Sequence, residues 1–140
     1  MSHNDGFRAL DRHECLRLLA KVPVGRIVYT RQALPAVLPV NFGLDTDSSI
    51  LVRTSATSDL VRAVDGVVVA FEADDFNAAE HSGWSVVVTG RATAVTDPAE
   101  HERLSRTGPL SWVVTQDWIF LRIEAEMVTG REIKGTPGTD

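Results

Sequence analysis

The chain has 140 residues, of which 44% are hydrophobic and 24% are charged. These values are typical of one ordinary globular domain and exclude general disorder and fibrous or repeat architectures. The net charge of −5 disfavours nucleic acid as a partner, because proteins that bind the phosphate backbone usually carry a surplus of basic residues.

Cysteine content and hydropathy both bear on the compartment. Cys15 is the single cysteine, so no internal disulfide can form, which fits a reducing environment. No apolar run approaches the length that crosses a bilayer, and the N-terminal residues lack a basic segment followed by an apolar one. We expect a cytoplasmic protein that is not associated with a membrane.

The first predicted element is a short amphipathic helix. Apolar side chains recur near helical spacing over residues 10–19, and Asp11 with Glu14 three residues later forms a capping pattern. The helix is expected to end before Pro23, because proline cannot continue it.

Two strand-like runs follow the helix, over residues 24–30 and 35–44. Both contain β-branched residues in alternation, and the segment between them predicts a turn, so we interpret the pair as a hairpin. Pro35 and Pro39 favour an edge or a bulge over a fully paired central strand.

The middle of the chain predicts a strand, a short helix and a second strand. Residues 50–54 indicate the first strand, and residues 60–64 can form about two helical turns, with Thr57 or Ser58 as the cap and Gly66 as the stop. The nearly apolar run 67–73 is typical of a strand buried on both faces.

A long central strand is predicted over residues 83–92, after a polar loop at 74–82. Its centre is β-branched, Gly83 and Gly90 leave room for another backbone or a flat ligand to approach, and Trp84 offers a large flat face. The sheet is expected to be organised around this strand.

The C-terminal third predicts a short helix at 99–104 and a last strand at 117–124, with an irregular or briefly helical segment at 110–116 between them. Period-two alternation places Ile119, Leu121 and Ile123 on one face of that strand. Antiparallel strands with short turns and short helices predict a mainly β chain that forms a barrel or a closed, strongly bent sheet.

One segment concentrates donors for an anion. Arg53 ends a strand, and hydroxyl residues at 54, 55, 57 and 58 lead into a helix start, which together can hold a phosphate. The same residues are also explained by a capped helix after a strand with an exposed arginine. The four histidines form no metal-ligand pattern, and the sequence identifies no general acid or base.

The order of these segments resembles the pyridoxamine 5′-phosphate oxidase-like proteins, and more narrowly their nitroimidazole-reductase-like and actinobacterial branch. The matching motifs are Val-Pro-Val-Gly-Arg-Ile-Val-Tyr at 22–29, Pro-Ala-Val-Leu-Pro-Val-Asn-Phe at 35–42, Arg-Thr followed by Ser58, and Gly-Trp-Ser-Val-Val-Val-Thr-Gly at 83–90. The last motif is the most specific, and the resemblance extends over residues 10–131.

The resemblance implies a six-stranded antiparallel split β-barrel over residues 1–133 with a flexible tail at 134–140. It also implies a homodimer that binds FMN in two clefts between the subunits and transfers hydride to a small organic acceptor. The residues implied to contact the cofactor are Arg53, Thr54 and Ser58 at its phosphate, Val40, Asn41 and Phe42 along the isoalloxazine, and Trp84 and Ser85 near the ring or phosphate.

The chain departs from the family pattern at Asp59, where relatives usually carry a lysine. A carboxylate beside a phosphate repels it, at a cost on the order of one decade in affinity, unless Arg62 reaches back to compensate. Two alternatives follow: a reductase that uses a 5-deazaflavin coenzyme, which requires basic residues clustered along the cleft, and a non-catalytic dimer that binds a flavin or haem.

Overall fold

The computed structural model of the chain describes residues 6–110 and 117–135, which form eight strands and three helices. The strands are β1 (Arg8–Leu10), β2 (Val24–Arg31), β3 (Leu34–Leu44), β4 (Ile50–Ser55), β5 (Val68–Asn77), β6 (Ser82–Ala94), β7 (Trp118–Ile123) and β8 (Met127–Ile133). The helices are α1 (Arg12–Leu19), α2 (Asp59–Val64) and α3 (Pro98–Thr107). The predictions made for residues 111–116 and 136–140 lie outside the described residues.

The strands form a closed antiparallel barrel. Neighbouring strands follow the order β6-β5-β2-β3-β4-β7, and β7 pairs again with β6 to close the ring. β8 adds to the far edge of β6, and β1 adds to β8. The predicted six-stranded antiparallel barrel with a few short helices is thereby confirmed, with two additional strands outside the ring.

Local sequence signals determine where each of the three helices begins. Asp11 accepts a hydrogen bond from the backbone N–H of Glu14, whose side chain accepts in turn from the Asp11 N–H, so α1 begins with the predicted capping box. Ser58 caps α2, and Asp97 followed by Pro98 starts α3.

The β2–β3 hairpin is tightly turned and only partly covered. Gln32 and Ala33 form its two-residue turn with φ angles of 52° and 67°, the conformation that matches the twist of the flanking strands. β3 pairs with β2 over eight residues, whereas it pairs with β4 only over Phe42–Leu44. Pro35 and Pro39 lie where β3 pairs with β2 alone, as an edge requires.

β6 is the central strand, as predicted. It pairs with β5 over ten residues, with β8 over seven and with β7 at its C-terminal end. Gly90 is required at its position, because a Cβ there would collide with the carbonyl oxygen of Glu124. The prediction that a backbone approaches Gly90 closely is confirmed.

Two element predictions are corrected. Residues 74–77 belong to β5 and are not part of a loop, since the long β6 partner supplies a ladder that outweighs their polar composition. Residues 67–73 are buried on one face only: Val67 and Val68 are about half exposed, while Val69 and Phe71 are buried. β1 and β8 were not predicted from the sequence.

The core fills the barrel and is supplemented by a small outer cluster. Its largest fully buried side chains include Ile27, Phe71 and Ile123. The outer cluster consists of Leu51, Leu104 and Phe120 and packs α3 onto the outside of β4 and β7. Among the described residues, no helix combines the length and the apolar character needed to span a bilayer.

Candidate functional site

The barrel opens where β3 and β4 separate. β4 leaves β3 after Val52 and continues beside β7 alone, and α2 follows three residues after β4 ends. The backbone N–H of Phe42 donates to the Pro23 carbonyl at 3.1 Å, on the β2 side. Because backbone groups alternate in direction along a strand, those of Asn41 lie on the β4 side of β3.

The three β3 residues predicted to line a flavin ring do not share one face. Phe42 is buried, with its ring edge against Phe71 at a centroid distance of 4.7 Å, and Val40 packs partly against the core. The side chain of Asn41 lies on the opposite face. A ligand at this opening therefore meets β3 chiefly through its backbone.

Arg53 lies beside this opening, on the outer face of β4. Its guanidinium carbon is 3.5 Å from the centroid of the Trp118 ring, and His101 also stacks on Trp118, with 4.6 Å between ring centroids. Stacking uses the flat face of the guanidinium and leaves its N–H groups directed outward along the edge. Arg53 is thus pre-positioned to donate to an anion.

The hydroxyl groups after Arg53 are engaged in different ways. Ser55 and Thr57 both donate to the carboxylate of Asp117, each at 3.1 Å. Ser58 Oγ accepts from the backbone N–H of Val61 at 3.2 Å, which leaves the hydroxyl hydrogen of Ser58 to donate. Thr54 lies on the opposite face of β4 from Arg53.

A cleft of about 380 Å³ lies between the tip of the β2–β3 hairpin and α2. It is lined by Thr30, Arg31, Gln32, Asp59, Arg62 and Ala63. Sequence analysis did not identify Arg31 as part of this cleft. Arg31 is separated from Asp59 by 28 positions in the chain, and no local motif indicates their contact.

Asp59 is paired with two arginines in this cleft. Arg31 donates to one carboxylate oxygen at 3.1 Å, and Arg62 donates to the other. Arg62 also donates to the Thr57 carbonyl at 2.7 Å, so it reaches back across the helix start. The hydrogen bond from Arg62 and the nearby charge of Arg31 lower the pKa of Asp59.

Trp84 and Ser85 lie elsewhere in the same chain. The carbonyl of Ala92 on β6 accepts a hydrogen bond from the N–H of Gly66, just after α2. Trp84 lies eight residues from Ala92 along β6, which is about 26 Å at ~3.3 Å per residue. Trp84 lines a separate open cleft of about 440 Å³ with acidic Asp75 and Glu132 and basic Lys134. One chain therefore does not bring these two residues to Arg53 and Ser58.

Comparison with known proteins assigns the chain to a family. The family model for pyridoxamine 5′-phosphate oxidase matches residues 11–132. The chain belongs to the pyridoxamine 5′-phosphate oxidase family. The resemblance drawn from the sequence motifs is thereby confirmed.

Proteins similar to this chain are found in Mycobacterium and Corynebacterium. The uncharacterized protein Rv0080 of Mycobacterium tuberculosis is 47% identical over 129 residues, covering 89% of this chain and 84% of the relative. Among solved structures, the FAD binding protein from Mycobacterium smegmatis has 33% identity and a TM-score of 0.74, covering 90% of this chain and 97% of the other. A conserved protein of unknown function from Corynebacterium diphtheriae has 34% identity and a TM-score of 0.78, with coverages of 92% and 99%.

Proposed function

We propose that this chain binds a flavin nucleotide through its FMN portion and supports hydride transfer to a small organic acceptor. The observation that carries the proposal is the place where β3 and β4 separate, beside which Arg53 and Ser58 offer donors for a phosphate. Arg53 presents the edge of its guanidinium and Ser58 retains a hydroxyl hydrogen. The residues present therefore fit the phosphate and ring of a flavin.

Each group at this opening has a distinct role in the proposal. Arg53 and Ser58 donate to the phosphate, whereas the side chain of Thr54 lies on the opposite face of β4 from Arg53. The Asn41 backbone meets the polar edge of the isoalloxazine, and Val40 and Phe42 fix the strand by packing inward. The flavin supplies the hydride chemistry when bound, while these residues bind and orient it.

Pairing of two chains completes the proposed site, because Trp84 and Ser85 are remote from Arg53 within one chain. One row of residues crosses the outer face of five strands: Val37, Val28, Ala70, Thr89 and Met127. The ends of this row, Val37 and Met127, are each 61% exposed. An exposed row of this composition fits a homodimer interface.

A second candidate function is flavin binding without catalysis. The relative from Mycobacterium smegmatis, at 33% identity, is described by its binding of FAD. Because FAD contains the FMN portion, the same phosphate and ring contacts serve either cofactor. The two candidates differ in whether the bound flavin exchanges electrons with a donor and an acceptor.

The first test is an absorption spectrum of the purified protein, as isolated and after incubation with excess FMN or FAD followed by desalting. We expect retained flavin bands, and we expect Arg53→Ala to reduce retention about tenfold, since a charge-assisted hydrogen bond is worth roughly 1.5–3 kcal/mol. Arg106→Ala is the matched control, because Arg106 is exposed on α3 and pairs only with Glu102 among the described contacts.

The outcomes separate the candidates. Absence of flavin from every sample contradicts both flavin functions and directs the search to a deazaflavin or haem. Retained flavin that a nicotinamide donor reduces and an organic acceptor reoxidises supports the oxidoreductase. Retained flavin that no donor reduces supports the binding protein.

A further inference from the structure

The cleft beside α2 holds two arginines in addition to Arg53. Arg31 comes from β2 and Arg62 from α2, and each donates to a different oxygen of Asp59. The three charges leave a net of one positive unit. A guanidinium has five N–H donors, so both arginines retain donors after binding Asp59.

The cleft directly continues the proposed phosphate site. Ser58 is adjacent in the chain to Asp59, which lines the cleft, and Arg62, which also lines it, donates to the carbonyl of Thr57. We therefore expect a ligand held at Ser58 and extended by one further phosphate to reach the Arg31 and Arg62 guanidinium groups. A ligand that ends at its first phosphate does not extend to these guanidinium groups, which then remain paired with Asp59.

We propose that Arg31, Asp59 and Arg62 form a second phosphate subsite that selects a flavin carrying a diphosphate over a flavin carrying a monophosphate. The inference rests on the proposed flavin function and adds its cofactor specificity. Asp59 acts as a positioning residue, because its two oxygens hold the arginines side by side.

The discrimination comes from the guanidinium groups and not from the charge of Asp59. The two phosphates of FAD together carry about the same charge as one terminal monophosphate, so the carboxylate alone does not separate the two nucleotides. Only a diphosphate places a second phosphate against Arg31 and Arg62, where each guanidinium adds charge-assisted hydrogen bonds.

The test is isothermal titration of the full chain with riboflavin, FMN and FAD. We expect the unaltered protein to bind FAD at least about tenfold more tightly than FMN. Arg31→Gln is expected to weaken FAD binding about tenfold, equivalent to ~1.4 kcal/mol, and FMN binding less than about twofold. Asp59→Asn is expected to lower the preference for FAD over FMN, since the two arginines lose the carboxylate that holds them side by side.

Arg106→Gln is the control and should leave both affinities unchanged, because Arg106 lies on α3 and pairs with Glu102. Circular dichroism of each variant verifies the fold, and Arg62→Gln provides a second variant if Arg31→Gln does not fold. Equal affinities for FMN and FAD, or equal losses in Arg31→Gln, overturn the second subsite while leaving flavin binding intact. Failure to bind either nucleotide overturns the proposed function and this inference together.

Discussion

Glu72 carries an unusually high pKa among the carboxyl groups on the outer face of the barrel. Burial, followed by a hydrogen bond with the neighbouring Asp74, raises the pKa of Glu72 to about 7 against the opposing effect of Arg26. Arg26 donates to Glu72 at 2.9 Å and lies 3.5 Å from Asp74. One guanidinium therefore faces two carboxyl groups, which favours keeping a proton on the pair.

This arrangement predicts that stability falls as pH rises from about 4.5 to about 7. The folded chain binds the Glu72 proton more tightly than the unfolded chain, whose glutamate has its ordinary pKa of 4.5, so the stabilisation is complete below that value and is lost as pH rises through 7. Urea unfolding of Glu72→Gln should give a flatter dependence over this range. Glu80→Gln in the exposed β5–β6 turn is the control, and a Glu72→Gln curve parallel to the unaltered protein contradicts the prediction.

Whether a site residue could be predicted from the sequence depended on whether its contact partners lie close to it in the chain. Arg53 and Ser58 belong to one short segment, so the donor-rich pattern was visible without a structure. Arg31 and Asp59 meet only because α2 folds against the end of β2, and no local pattern indicates that contact. The hydrogen bonds that Ser55 and Thr57 donate to Asp117 could not be predicted for the same reason, because Asp117 is distant in the chain.

At the scale of elements, α3 is attached to the barrel through Asp45. This carboxylate lies in the turn after β3 and is almost buried, with a side chain 6% exposed. Arg103 of α3 donates to both its oxygens, at 3.0 and 2.8 Å, and Arg122 of β7 donates at 2.8 Å. The hydrogen bonds from Arg103, followed by those from Arg122, hold the pKa of Asp45 well below its usual range.

Asp45→Asn should therefore destabilise the protein at neutral pH by about 2 kcal/mol, since two arginines lose a charged acceptor. The depressed pKa makes this stabilisation fully present above about pH 4 and lost progressively below it. Urea denaturation at pH 7 and pH 3 measures both values, with the larger difference expected at pH 7. Glu102→Gln, which breaks an exposed pair with Arg106, should change stability by less than about 0.5 kcal/mol.

Element prediction succeeded where a strand or helix carried its own signal. The capping box of α1 and the β-branched centre of β6 are both local patterns, and both elements are present. Polar composition concealed the end of β5, which is extended only because β6 runs beside it. β8 reads Met-Val-Thr-Gly-Arg-Glu-Ile, without polar and apolar alternation, and its pairing with β6 determines its conformation more than its own sequence does.

For the whole molecule, the row from Val37 to Met127 predicts self-association. Residues opposite one another in neighbouring strands share a face, so Val37, Val28 and Ala70 lie side by side across three strands. The ring closes between β6 and β7, so this apolar row remains on the outside of the barrel. A second copy of the chain that covers the row also brings a second Trp84 and Ser85 to the assembly.

We therefore expect a dimeric mass by size-exclusion chromatography with light scattering at micromolar concentration. Val37→Asp should shift the chain to a monomer with an unchanged circular dichroism spectrum, because an unpaired carboxylate in an apolar interface carries a desolvation cost of several kcal/mol. Leu110→Asp is the matched control: Leu110 is 72% exposed, follows α3 and lies outside the row, so its variant should stay dimeric. A monomeric unaltered protein, or a dimeric Val37→Asp variant, contradicts the proposed interface. Loss of flavin retention together with dimerisation in Val37→Asp is the result expected if both chains contribute to each site.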